Sequence, residues 1–226
     1  MGPTLTLLGG FSLVIDGREV GLNAGAARVL AALGLYAPNP VARPELGALL
    51  WPEKLRERAL ANLRGILWRL PDEAKMVVLD KGDGLALEGS VAVDTGRLSN
   101  AVDGVEPDVA ALAAPLLPGW YDDWVLVERE RVALAQMATL ETRAQRLLAS
   151  GEAAGAIEAA LASIAIEPLR ELPHRLVIRG HLAEGNIAEA IDHLERTSSY
   201  FAEEIGAALT IETTELVRLG AGVTRV

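Results

Sequence analysis

From Glu53 to Leu70 the chain reads EKLRERALANLRGILWRL. Wound at about 3.6 residues per turn, it puts Ala59, Leu60, Leu63, Ile66, Leu67 and Leu70 on one face. Arg58, Ala61, Arg64, Gly65, Trp68 and Arg69 fall on the other, with Asn62 at the edge. Apolar positions at i, i+3, i+4 and i+7 mark a helix that packs on a core, and Trp68 stands outward, where another part of the chain would cover it. Pro71 stops this helix. Ahead of it, Thr4–Leu8 and Phe11–Ile15 predict two short strands, Asp16-Gly17 a hairpin turn and Glu19–Leu22 the return strand. Asn23 caps a helix over Ala26–Tyr36, which Pro38 and Pro40 end. Arg43-Pro44-Glu45 opens a second, short helix with proline in its first turn, running through Leu46, Leu49 and Leu50 to Trp51-Pro52. After Pro71, Met76–Leu79 predicts a strand, Lys81-Gly82-Asp83-Gly84 a tight turn and Leu85–Leu87 the return, with Val91–Val93 continuing the same sheet.

Strands, three helices and a β-hairpin, in that order, predict an α+β winged helix-turn-helix domain with an N-terminal sheet over residues 1–100. In such a fold the third helix enters the major groove and the hairpin touches the neighbouring backbone. Residues 101–119, poor in charge and rich in Ala, Val, Leu and Pro, read as a linker with a short helix; residues 120–226 read as wholly helical. This half repeats itself. Gly151 and Gly185 stand 34 residues apart, and Ala156-Ile157-Glu158 recurs as Ala190-Ile191-Asp192 at the same offset. A period of 34 is that of tetratricopeptide repeats, whose helix pairs stack on one another.

Charge sharpens the picture. The 226 residues carry a net −10, yet residues 1–100 are neutral and residues 101–226 hold all of the excess. Against that trend the Glu53–Leu70 segment, with Lys54, Arg56, Arg58, Arg64 and Arg69 against Glu53 and Glu57, is net +3. Arginine forks onto phosphate or onto a guanine edge, and Ala61 and Gly65 between the arginines would let the backbone approach a groove closely. Gly65 costs the helix about 1 kcal/mol relative to alanine. The chain is half hydrophobic but only 4% aromatic, so its core is expected to be aliphatic. Without cysteine it has no disulfide or thiolate metal site. No signal peptide and no membrane-length apolar run is apparent, which predicts a cytoplasmic protein. His174, His181 and His193 lack zinc-binding spacing, and no nucleophile elbow or phosphate loop occurs. No enzyme, metal or cofactor is expected.

Both halves resemble one family. LTLLGGFSLVIDGREVGL, ARVLAALGLYAPNPVARPELGALLWPE, RALANLRGILWRL and VVLDKGDGLAL are similar to the OmpR-type winged-helix domain of the Streptomyces antibiotic regulatory protein (SARP) family. Trp124 with Glu128-Arg129-Glu130-Arg131, Glu167-Pro168-Leu169-Arg170-Glu171, Gly185 with Glu189-Ala190, and Glu203-Glu204-Ile205-Gly206 resemble the bacterial transcriptional activator domain (BTAD) that follows it, here over 120–226. The resemblance implies a sequence-specific activator that binds promoter repeats as side-by-side copies, a homodimer included, and recruits RNA polymerase through its sigma factor. It makes Arg56–Leu70 the recognition helix, with Arg58 and Arg64, then Asn62, at base edges and Lys54, Arg56 and Arg69 at phosphates. Arg28 and Arg43, near the starts of the first two helices, are expected at phosphates too, and Lys81 sits in the wing turn. Three features depart from the family: the wing is short and acidic at Asp80 and Asp83, Leu85 stands where an aromatic is usual, and no ATPase or receiver module is visible. Neutrality of residues 1–100 keeps open an alternative, a helical-repeat interaction module or small-molecule sensor that does not bind DNA.

Overall fold

The computed structural model describes residues 2–98 and 108–220, which group into two compact units. The first spans Met1–Glu106 together with Ala114–Val132; the second spans Pro107–Ala113 and Ala133–Val226.

The first unit opens with β1 (Thr4–Thr6), β2 (Ser12–Ile15) and β3 (Arg18–Glu19), an antiparallel meander. The expected Asp16-Gly17 turn is there, both residues in the left-handed region (φ 51° and 76°) that a two-residue type I′ hairpin needs. Asn23 caps α1 (Ala24–Tyr36), its side chain accepting the Ala26 N–H at 3.0 Å. α1 lies almost wholly in the core, with Val29, Leu30 and Leu33 buried against Leu5, Leu7 and Leu13. β4 (Val41–Ala42), α2 (Arg43–Leu50) and α3 (Arg56–Trp68) follow, and Trp51 closes α2 as a buried core residue. Past Pro71 a short helix, α4 (Asp72–Met76), intervenes before β5 (Val78–Lys81) and β6 (Gly84–Leu87) form the hairpin. Met76, expected to open the strand, ends this helix instead and is exposed; Asp72 and Glu73 in its first turn favour the helix N-terminus. The three-stranded sheet of the hairpin is completed by β4 on β6. Gly84 is required there, because a Cβ would sit 2.8 Å from the Val41 carbonyl oxygen.

β7 (Ala92–Val93) does not extend that hairpin. It pairs parallel with β1 at the edge of the first sheet, followed by a 3-10 turn over Asp94–Leu98. The Asp94 carboxylate accepts the backbone N–H groups of Leu7 and Leu8 at 2.8–3.0 Å, so the turn pins the end of β1. Further along, Gly9 N–H bonds the Pro115 carbonyl and Leu117 N–H the Leu7 carbonyl, which buries Leu116 and Leu117 completely. Residues 114–119, read from sequence as the end of a linker, thus belong to the first unit, with Leu116 and Leu117 in its core; residues 99–107 lie outside the described part. Trp120 stacks on Phe11 (5.8 Å between ring centroids), and Trp124 meets Trp120 edge-on. Arg129 fastens this segment by donating to the carbonyls of Leu116, Leu117 and Trp120 at 2.6–2.9 Å.

The second unit is helical: α5 (Val109–Ala113), the later turns of α6 (Asp123–Ser150), α7 (Ala153–Ile166), α8 (Glu171–Ala183), α9 (Ile187–Ile205), α10 (Ile211–Thr214) and α11 (Leu216–Gly220). The 34-residue repeat is structural. α7 and α9 begin 34 residues apart, each after a glycine with positive φ (Gly151 83°, Gly185 77°), and Ala156 and Ala190 are both fully buried. The left-handed glycine ends one helix and lets the next turn back on it.

Candidate nucleic-acid interface

α2 and α3 are the helix-turn-helix, and α3 presents the face the periodicity assigns to it. Ala59, Leu63 and Leu70 are buried, Leu60, Ile66 and Leu67 half-buried; Arg58, Ala61, Arg64, Trp68 and Arg69 are exposed. Asn62 is half-buried at the edge. Lys54 and Arg56 are exposed in the turn before the helix and at its first residue. Among the described residues the five cations Lys54, Arg56, Arg58, Arg64 and Arg69 make no ion pair and stand toward solvent. Trp68 is 82% exposed rather than covered.

Gly65 lies under Arg69. A Cβ there would be 3.5 Å from the Arg69 Nη2 and meet nothing closer. No neighbour therefore forces the glycine, and its effect is on the surface: between Arg64 and Trp68 the helix is stripped to its backbone.

Arg28 and Arg43, expected at phosphates, have other partners. Arg28 donates to the Leu50 carbonyl at 2.7 Å and pairs with Asp122, tying the end of α2 to the start of α6 within the first unit. Arg43, the first residue of α2, pairs with Asp80 at 2.6 Å and donates to the Gly82 and Gly84 carbonyls. Asp80 also accepts the Gly82 N–H at 3.0 Å. Asp80, one of the two acidic residues of the wing, is thus paired with an arginine that holds the hairpin against α2. Sequence reasoning missed this clamp because Arg43 and Asp80 are 37 residues apart with no shared motif. Lys81, at the tip beside the left-handed Gly82, is exposed as expected.

The other candidate chemistry is structural. His174 and His193 touch, Nδ1 to Nε2, at 3.1 Å. The Pro168 carbonyl, 2.8 Å from the His174 Nε2, can only accept, so that nitrogen carries the hydrogen and Nδ1 is left to accept, with the His193 Nε2 and the Thr197 hydroxyl both 3.1 Å away. Burial holds the His174 pKa below its ordinary value. Burial first, then the neighbouring His174, Arg196 and His181, pushes the His193 pKa down to about 4. Among the described residues no group of three or more His, Asp or Glu could hold a metal. No described helix is long and apolar enough to cross a membrane.

Comparison with known proteins adds two findings. The family model described as the bacterial transcriptional activator domain matches residues 82–218. Mycobacterium tuberculosis EmbR, solved in complex with a low-affinity phosphopeptide, is similar in fold: TM-score 0.64 at 20% identity, over 99% of this chain. The chain spans 66% of that protein's length. No curated protein matches the sequence.

Proposed function

The chain belongs to the bacterial transcriptional activator domain family, and from that premise we propose that it is a cytoplasmic, sequence-specific DNA-binding activator. The family match bears out the SARP resemblance read from the sequence, with a winged helix-turn-helix ahead of a helical repeat. The observation that carries the proposal is the outward face of α3, where Arg58, Arg64 and Arg69 stand exposed around small Ala61 and Gly65. On this reading Arg58, Arg64 and Asn62 read base edges. Lys54, Arg56, Arg69 and Lys81 hold phosphates, which fixes register without reading sequence. Arg28 and Arg43 act indirectly, by holding α2 and the wing in place. The first unit is the DNA-binding half; the second, which carries the larger share of the acidic excess (net −6, against −4 for the first), offers its surface to RNA polymerase and its sigma factor, and two copies sit side by side on repeated sites.

The test is selection from random duplex DNA with the purified chain, followed by titration of the selected duplex at several salt concentrations. An enriched repeated motif is expected. With four phosphate-binding cations, log affinity should fall against log salt with a slope of roughly −3 to −4 per copy. No enrichment and a flat salt response overturn the proposal and favour the interaction module or sensor.

A further inference from the structure

Trp68 has no place in the functional scheme so far, yet it is the most exposed large hydrophobic side chain among the described residues. The other three tryptophans are in or against the core: Trp51 and Trp124 are buried, and Trp120 packs on Phe11. Trp68 shares one stripe of α3 with Ala61, Arg64 and Gly65, at the i, i+3, i+4 and i+7 positions that line up along a helix. Arg69 is next to it, with its guanidinium over Gly65. The acidic residues of this segment, Glu53 and Glu57, lie at the other end.

An indole left in water forgoes a large apolar burial. Here Arg64 and Arg69 flank it on the helix, so a partner that is both anionic and partly apolar suits the patch. The major groove of a duplex offers both: phosphates for the arginines, and thymine methyl groups or deoxyribose carbons for a flat ring. The small residues one and two turns back, Gly65 and Ala61, lower the surface so that groove edges can come down onto the ring. We infer that Trp68 is a DNA-contact residue whose indole packs on the apolar surface of the duplex, beside the polar contacts of Arg64 and Arg69. The inference rests on the DNA-binding reading above and adds a residue to it.

The experiment uses the full chain and the selected duplex, with Trp68→Ala and Trp68→Phe compared with the wild type. Because the side chain is exposed, neither change disturbs the core; matching melting curves check this. Trp68→Ala should weaken binding about tenfold, and Trp68→Phe should restore most of the loss. Replacing each thymine of the site in turn by deoxyuridine separates the two sources of apolar contact. If one methyl is the partner, its removal costs the wild type roughly fourfold and costs Trp68→Ala nothing; if deoxyribose is, no thymine stands out while the tenfold loss persists. Acrylamide quenching gives an independent readout: the emission lost in Trp68→Phe should be the quenchable component, and DNA should shield it. Wild-type affinity in Trp68→Ala, with the indole still quenchable in the complex, overturns the inference and assigns the ring to a protein surface. A wild-type chain with no selected motif and no salt dependence overturns the DNA-binding reading itself, and this inference with it.

Discussion

Arg43 and Arg64 are both arginines of the helix-turn-helix, and their surroundings separate them. Arg43 meets a carboxylate and two carbonyls and becomes a structural clamp; Arg64 is left facing solvent. Which arginine does which could not be read from the chain, because the partners of Arg28 and Arg43 lie 94 and 37 residues away. The exposure of α3 could be read, since it follows from helical periodicity alone: Ala59, Leu63 and Leu70 are in, Ala61, Arg64 and Trp68 are out. Gly65 is the residue at which stability and function part. Its missing Cβ meets no close neighbour, so Gly65→Ala should raise stability by about 0.5–1 kcal/mol through helix propensity, seen as a higher melting temperature. The same methyl group thickens the surface between Arg64 and Trp68, so the variant should bind the selected duplex more weakly than the wild type. A variant both more stable and equally tight would show that the backbone does not approach the groove there.

At the level of elements, the long amphipathic helices and the glycine-marked repeat were legible because each is specified locally, by its own period and caps. The short elements were not. β4 and β7 are two residues each, and their pairing with β6 and β1 is decided by chain segments far away in sequence. α8 and α9 carry a further consequence in the His174–His193 contact. With the His193 pKa at about 4 in the folded chain and about 6.5 in the unfolded one, the unfolded state binds more protons between those values. Stability is therefore complete above about pH 6.5 and falls as pH drops toward 4. By pH 5 the loss should reach about 1–2 kcal/mol. Thermal melts at pH 7 and pH 5 check this: His193→Gln should show a smaller drop than the wild type. An equal drop in both would assign the acid sensitivity to other groups.

Across the whole molecule, charge and folding units are divided differently. Residues 1–100 are neutral and the remainder carries the net −10, which the sequence shows directly. That residues 114–132 belong with the first unit was hidden, because an apolar, charge-poor segment reads equally as linker or as core. The same grouping sets a length requirement. A fragment ending at residue 100 lacks Leu116, Leu117, Trp124 and Val125, all buried in the first unit's core. It should be poorly folded, with little chemical-shift dispersion and rapid amide exchange, whereas a fragment ending at Val132 should fold; cooperative melting of the shorter piece would refute this. On the ribosome, then, the DNA-binding half cannot finish when its last wing strand emerges. Its α3 helix leaves the exit tunnel early, but the residues that close its hydrophobic core follow only some thirty codons after the wing, so the nascent chain must pass that stretch of synthesis with the core open and exposed to chaperones.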